Sequence, residues 1–164
     1  MDLGTMFIGA VVAVLCFGPF ILVSLNTQKK KKNTARALEA VAAKYNGNID
    51  EKEVNGHYAL GIDKQNNKVF FYNAVKDTVT EQFVDLTNVS LCKVNSISRT
   101  FKERGKIQSL VDRIEILFLP EGKEQRETTF ELFNADISLQ GNGEIPFAEV
   151  WTRKINEQIR NIKK

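Results

Sequence analysis

Residues 146–162 read PFAEVWTRKINEQIRNI, and the reading of this stretch decides the fold. Phe147, Ala148, Trp151, Ile155, Ile159 and Ile162 recur three or four positions apart and make one apolar stripe. Glu149, Arg153, Lys154, Glu157 and Arg160 cover the other side. This is the pattern of an amphipathic helix, and Pro146 suits its first turn. A stripe so wide needs a large apolar partner. The other helical pattern in the charged part of the chain, TARALEAVAAKY at 34–45, is too short and too rich in Ala to supply it. The helix therefore packs on a sheet, with Trp151 expected to be buried against strand residues such as Ile114, Ile116 and Phe130.

Upstream, the sequence supplies that sheet. Residues 110–119 are the clearest strand: Ile114, Ile116 and Phe118 alternate with Arg113, Glu115 and Leu117. The turn residues at 120–123 reverse the chain into 126–133, and 134–143 reads as a loop. Earlier, 57–63 alternates Tyr58, Leu60 and Ile62 against Ala59 and Gly61. A turn-like run at 63–67 leads to a second strand at 68–72, which makes a hairpin. Further strands are predicted at 79–84, 89–94 and 97–101. The helix at 34–45 places Leu38, Val41, Ala42 and Tyr45 on one face and stops at Asn46-Gly47, with Gly47 as the left-handed cap residue. The polar residues 48–56 read as a loop.

Short antiparallel strands followed by one C-terminal amphipathic helix resemble the pleckstrin-homology-like (PH-like) fold, in which that helix plugs a bent sheet. Trp151 is similar to the tryptophan such domains carry in the same helix. Asp85-Leu86-Thr87-Asn88-Val89 and Ala148-Glu149-Val150-Trp151 look like the membrane-tethered bacterial members. The resemblance covers about residues 56–162. It implies an α+β, mainly β class: an N-terminal transmembrane helix, then a bent antiparallel sheet of about seven strands capped by the helix. The lipid-binding signature of that family is a basic run across the first hairpin, matched here only by Lys64 and Lys68, with no Arg. Most domains of this fold bind proteins or have no known ligand, and fold does not fix function.

The N-terminal part is of a different kind. From Leu3 to Gln28 there is no charged side chain, and residues 6–25 read MFIGAVVAVLCFGPFILVSL. Twenty helical residues span about 30 Å, the thickness of the bilayer hydrocarbon. Pro19 within the run predicts a kink near Gly18, which membrane helices tolerate. A cleaved signal peptide needs a basic region before the apolar core and a small-residue cleavage site, and neither is present. Lys29, Lys30, Lys31 and Lys32 follow the run directly, so the positive-inside rule places the N-terminus outside and the rest in the cytoplasm. The expected location is the cell inner or plasma membrane, with the four lysines at the headgroups. The organisation is then an anchor at 1–28, a basic juxtamembrane segment with a short helix at 29–55, and a PH-like domain at 56–164. Gly9 and Ala13 share a helix face at a spacing that supports dimerisation, but small residues are common in membrane helices. A homodimer has no other support.

Charge and inventory narrow the function. The lysine run and Asp2 account for the whole net charge of +3, and residues 33–164 are neutral. Nucleic acid needs a basic domain and is not expected. Cys16 and Cys92 lie far apart, and with the single histidine, His57, they are too few for a zinc site. No cofactor is expected. His57 sits at a strand start as a partly exposed residue, Cys92 lies in an apolar alternation, and Gly141-x-Gly143 lacks the context of a phosphate loop, so no catalytic group emerges. Glu149 and Arg153 read as a solvated helix-surface pair, and Asn88-Val89-Ser90 as a glycosylation triplet in spelling only. One basic cluster remains: Arg99, Lys102, Arg104 and Lys106, around Phe101 and Glu103, in the loop between the fifth and sixth strands. Held near a membrane, it is a candidate contact for anionic lipid. The competing reading is a solvated loop. The expectation is a non-enzymatic single-pass membrane protein whose domain binds or scaffolds a protein partner. The alternative is a sensor of anionic lipid surfaces using 99–106, and an enzyme ranks last.

Overall fold

The structure is a computed structural model that describes residue 24 and residues 26–103, 106–122, 126–137 and 143–164. The apolar run at 6–25 lies outside the described residues except for Ser24, as do Gly9, Ala13 and Cys16. Among the described residues no helix is long and apolar enough to cross a membrane.

The class is α+β with mainly strands. A first helix, α1, runs over 26–44. Seven strands follow: β1 Glu51–Asn55, β2 Tyr58–Asp63, β3 Lys68–Val75, β4 Thr78–Asp85, β5 Val89–Glu103, β6 Lys106–Pro120 and β7 Thr128–Asn134. The closing helix α2 spans Glu144–Ile162. The strands form two antiparallel meanders, β1-β2-β3-β4 and β5-β6-β7, so the single bent sheet expected is two sheets.

Three boundaries differ from the sequence reading, each for a physical reason. Residues 51–55, within the polar stretch read as a loop, are β1. Glu51, Lys52 and Glu53 hide the strand in polarity because an edge strand meets solvent. The strands expected at 89–94 and 97–101 are one strand. A register shift between Ile97 and Ser98, opposite Asp112, bends the ladder without ending it. Helix α1 begins before the lysines rather than at Thr34, and no break separates the two segments.

The main core lies between the sheets. Tyr58, Leu60 and Ile62 of β2 and Val69 and Phe71 of β3 face Ile114, Ile116 and Phe118 of β6 and Phe130 and Leu132 of β7. Phe71 and Phe130 stack across the gap with ring centroids 4.9 Å apart. Helix α2 closes this core with Phe147, Trp151, Ile155 and Ile159, and Trp151 is fully buried among the expected residues.

A second, smaller core lies on the outer face of the first sheet. Leu38, Val41 and Ala42 of α1 seat on Ala59 and Phe70. The alternation in β2 explains this: its outward residues are Ala59 and Gly61, small enough to admit a helix. A Cβ on Gly61 would stand 3.0 Å from Ile49 and 3.1 Å from Leu38. At the end of α1 the left-handed position belongs to Asn46, with φ of 53°, and not to Gly47. Gly47 answers a different need. The Phe70 ring lies against it, and a Cβ there would meet Phe70 Cζ at 2.2 Å.

Candidate functional site

Helix α1 sets the geometry of the site. Its docked face carries Leu38, Val41, Ala42 and Tyr45. Counting back by threes and fours, the same face continues through Thr34, Lys31, Lys30 and Thr27. Over this first half the helix and the sheet are the two sides of a cleft. This open cleft of about 530 Å³ lies between Thr27, Lys30, Lys31, Asn33 and Thr34 on one side and Gly56, His57, Tyr72 and Ala74 on the other. Thr34 is buried and its hydroxyl donates to the Lys30 carbonyl at 3.1 Å. The lysine run is thereby divided. Lys30 and Lys31 line the cleft, whereas Lys29 and Lys32 fall on the opposite face with Arg36.

The far wall is the β1–β2 turn. Asn55 pairs with Tyr58, leaving a two-residue turn of Gly56 and His57. Gly56 has φ of 62°, the conformation that a glycine at the first turn position adopts without strain. This turn holds His57 at the rim. Burial lowers the His57 pKa from its ordinary value, and Glu144 at the start of α2 acts in the other direction. The imidazole is therefore biased towards its neutral form, a hydrogen-bond donor on one nitrogen.

The structure separates the other candidate residues by use. Arg99 and Lys102 lie within β5, and Lys106 lies within β6, so they belong to a long hairpin rather than a loop. Arg99 donates from Nε to Asp112 at 2.7 Å and approaches Asp136 at 3.9 Å. Its guanidinium holds the Asp112 carboxyl below the usual carboxylate range. Lys102 is exposed; Arg104 and the Lys106 side chain lie outside the described residues. Lys64 and Lys68, the two lysines of the first hairpin, have structural partners: Lys64 pairs with Glu51 at 3.4 Å, and Lys68 donates to the Tyr45 carbonyl at 3.0 Å, capping α1. Cys92 is buried, and desolvation pushes its thiol up to about 12. Among the described residues no three His, Cys, Asp or Glu side chains group to hold a metal ion.

Sequence reasoning counted the four lysines as one headgroup contact and missed the cleft. The spacing from Thr27 to Tyr45 carries it, but only once the helix is known to run unbroken through the lysines. No family model matches the chain, and no curated protein or solved structure matches it.

Proposed function

We propose that this is a non-enzymatic, single-pass membrane protein whose PH-like cytoplasmic domain is a binding or scaffolding module held at the membrane surface. The observation that carries the reading is the continuity of α1. The lysine run that follows the apolar segment is part of the same helix that seats on the sheet through Leu38, Val41 and Ala42. Tethering raises the local concentration of such a domain, so a weak contact with a partner suffices. The PH-like assignment is supported by the order of elements, a four-stranded and a three-stranded meander closed by a C-terminal helix with a buried tryptophan. The reading of 99–106 as a lipid sensor has less support, because Arg99 is committed to Asp112 and Asp136.

A reporter fused after Lys164 tests the topology, together with alkaline extraction of membranes. Retention in the membrane with a cytoplasmic reporter signal is expected. An extracytoplasmic signal, or release by alkali, would reject the reading.

A further inference from the structure

Two lysines that face a folded sheet across a gap need a reason. The cleft lining holds two cations, the hydroxyls of Thr27, Thr34 and Tyr72, the Asn33 amide and the His57 imidazole, and no carboxylate is among these residues. Lys30 and Lys31 are exposed at the mouth of the cleft, and with no opposing carboxylate in its lining their charges favour an anion there. The next turns of the same helix face show that this sequence places apolar residues where it means to seat the helix. At Lys30 and Lys31 it places charge instead, and the two equivalent charges at Lys29 and Lys32 point away.

The geometry points to a phosphate-binding site in this cleft, with Lys30 and Lys31 supplying the charge and His57 a further hydrogen bond. The ligand is a phosphate group, either that of an anionic lipid headgroup or a free phosphate. The inference deepens the proposed function by naming the ligand class, and rests on it only for the membrane as a source. Ammonium groups donate strongly to phosphate oxygens, and a neutral imidazole N–H adds direction.

His57 is the single histidine, so its imidazole resonances are assigned without ambiguity; because it also lines the neighbouring pocket beside Asn73 and Glu131, the lysine variants decide which side a response comes from. The full chain is placed in phosphatidylcholine nanodiscs, and His57 is followed by NMR at fixed pH and ionic strength. One arm adds inorganic phosphate; the other replaces part of the lipid with phosphatidylglycerol. A saturable shift in at least one arm is expected, and the arm that responds identifies the source. Lys30→Gln with Lys31→Gln should weaken binding by roughly tenfold or more, the scale of a lost charged hydrogen bond. All four lysines are exposed, so the control isolates the helix face: Lys29→Gln with Lys32→Gln removes equal charge from the side away from the cleft and should change binding by about twofold at most. Unchanged Trp151 emission certifies the fold of each variant. No saturable shift in either arm, or equal losses in both double variants, overturns the site. Co-elution of the chain with the discs is scored separately. A chain that co-elutes without a His57 response rejects the cleft and keeps the membrane reading; a phosphate response without co-elution does the reverse.

Discussion

The indole Nε1–H of Trp151 donates to Oε2 of Glu53 at 2.9 Å, joining residues 98 apart in the chain. The bond satisfies the one polar atom of a fully buried side chain, and it does so from the solvent-facing edge of β1. Lys154, one turn later, pairs with Glu51 on the same strand, and its ammonium lies 5.0 Å from the Trp151 ring centroid. Helix α2 thus closes the core with its apolar stripe and clamps the edge of the first sheet with its flank.

Trp151→Ala should cost about 3–5 kcal/mol, the range for truncating a large buried aromatic. Glu53→Ala, which leaves the buried indole N–H without its acceptor, should cost about 1–3 kcal/mol. Denaturant melts check both. Trp151 is the single tryptophan, so parent emission should be blue-shifted and poorly quenched by iodide. A solvent-like emission maximum would mean that α2 does not seat as described.

On its other flank α2 blocks the edge of the second sheet. Asn156 accepts from the Cys92 N–H at 2.9 Å and donates to the Cys92 carbonyl at 2.7 Å, as a neighbouring strand would. Asn156→Leu should therefore leave both backbone groups unpaired and cost about 1–3 kcal/mol. Hydrogen exchange at the Cys92 amide should accelerate more than exchange at amides of β6. Uniform acceleration would mean only global destabilisation.

The turn after α1 gives a reciprocal pair of substitutions. Gly47→Ala should destabilise by about 1–3 kcal/mol, because Phe70 must move from a packed site. Asn46→Gly should be neutral within about 0.5 kcal/mol, since both residues accept the left-handed conformation. If the sensitivities were reversed, Gly47 would be the cap after all.

Acid should weaken the fold through Asp63. Its carboxylate is fully buried and accepts from the Asn48 and Asn66 backbone N–H groups at 2.7 and 2.8 Å, and from the Asn66 side chain at 2.7 Å. Burial pushes its pKa up, but these donors outweigh it and hold the group below its ordinary value of 3.8. A lowered folded-state pKa means the contribution is complete above the unfolded value and disappears as pH falls through the folded one. Stability should fall below about pH 4, and Asp63→Asn should flatten that fall. A parallel pH slope in parent and variant would exonerate Asp63.

How much of this was legible follows from which forces leave a periodic trace. The stripe of α2, the alternation of β2 and β6 and the burial of Trp151 were readable because apolar residues recur at the spacing of the element. Strand β1 was not, because at a sheet edge the pairing is made by backbone and the side chains are Glu, Lys and Glu. The partner of the Trp151 indole was missed with it. Arg99 looked free because its carboxylate partners lie 13 residues away or more: the β5–β6 register brings Asp112 to it, and the β6–β7 pairing brings Asp136. The cleft was hidden because a lysine run has no period of its own. Its division into two faces appears only against the docked residues of α1.

The unbroken course of α1 also makes the chain a rigid crank. The helix is fixed to the first sheet by Leu38, Val41 and Ala42, and no hinge lies between them and the lysines. Each residue inserted between Lys32 and Thr34 therefore turns the lysine run by about 100° about the helix axis and displaces it by about 1.5 Å. The azimuth of the lysine run is thereby phase-locked to the first sheet. A series of one to four inserted alanines should then make the His57 response to phosphate rise and fall with the helical period, where a loosely joined lysine run would leave it flat.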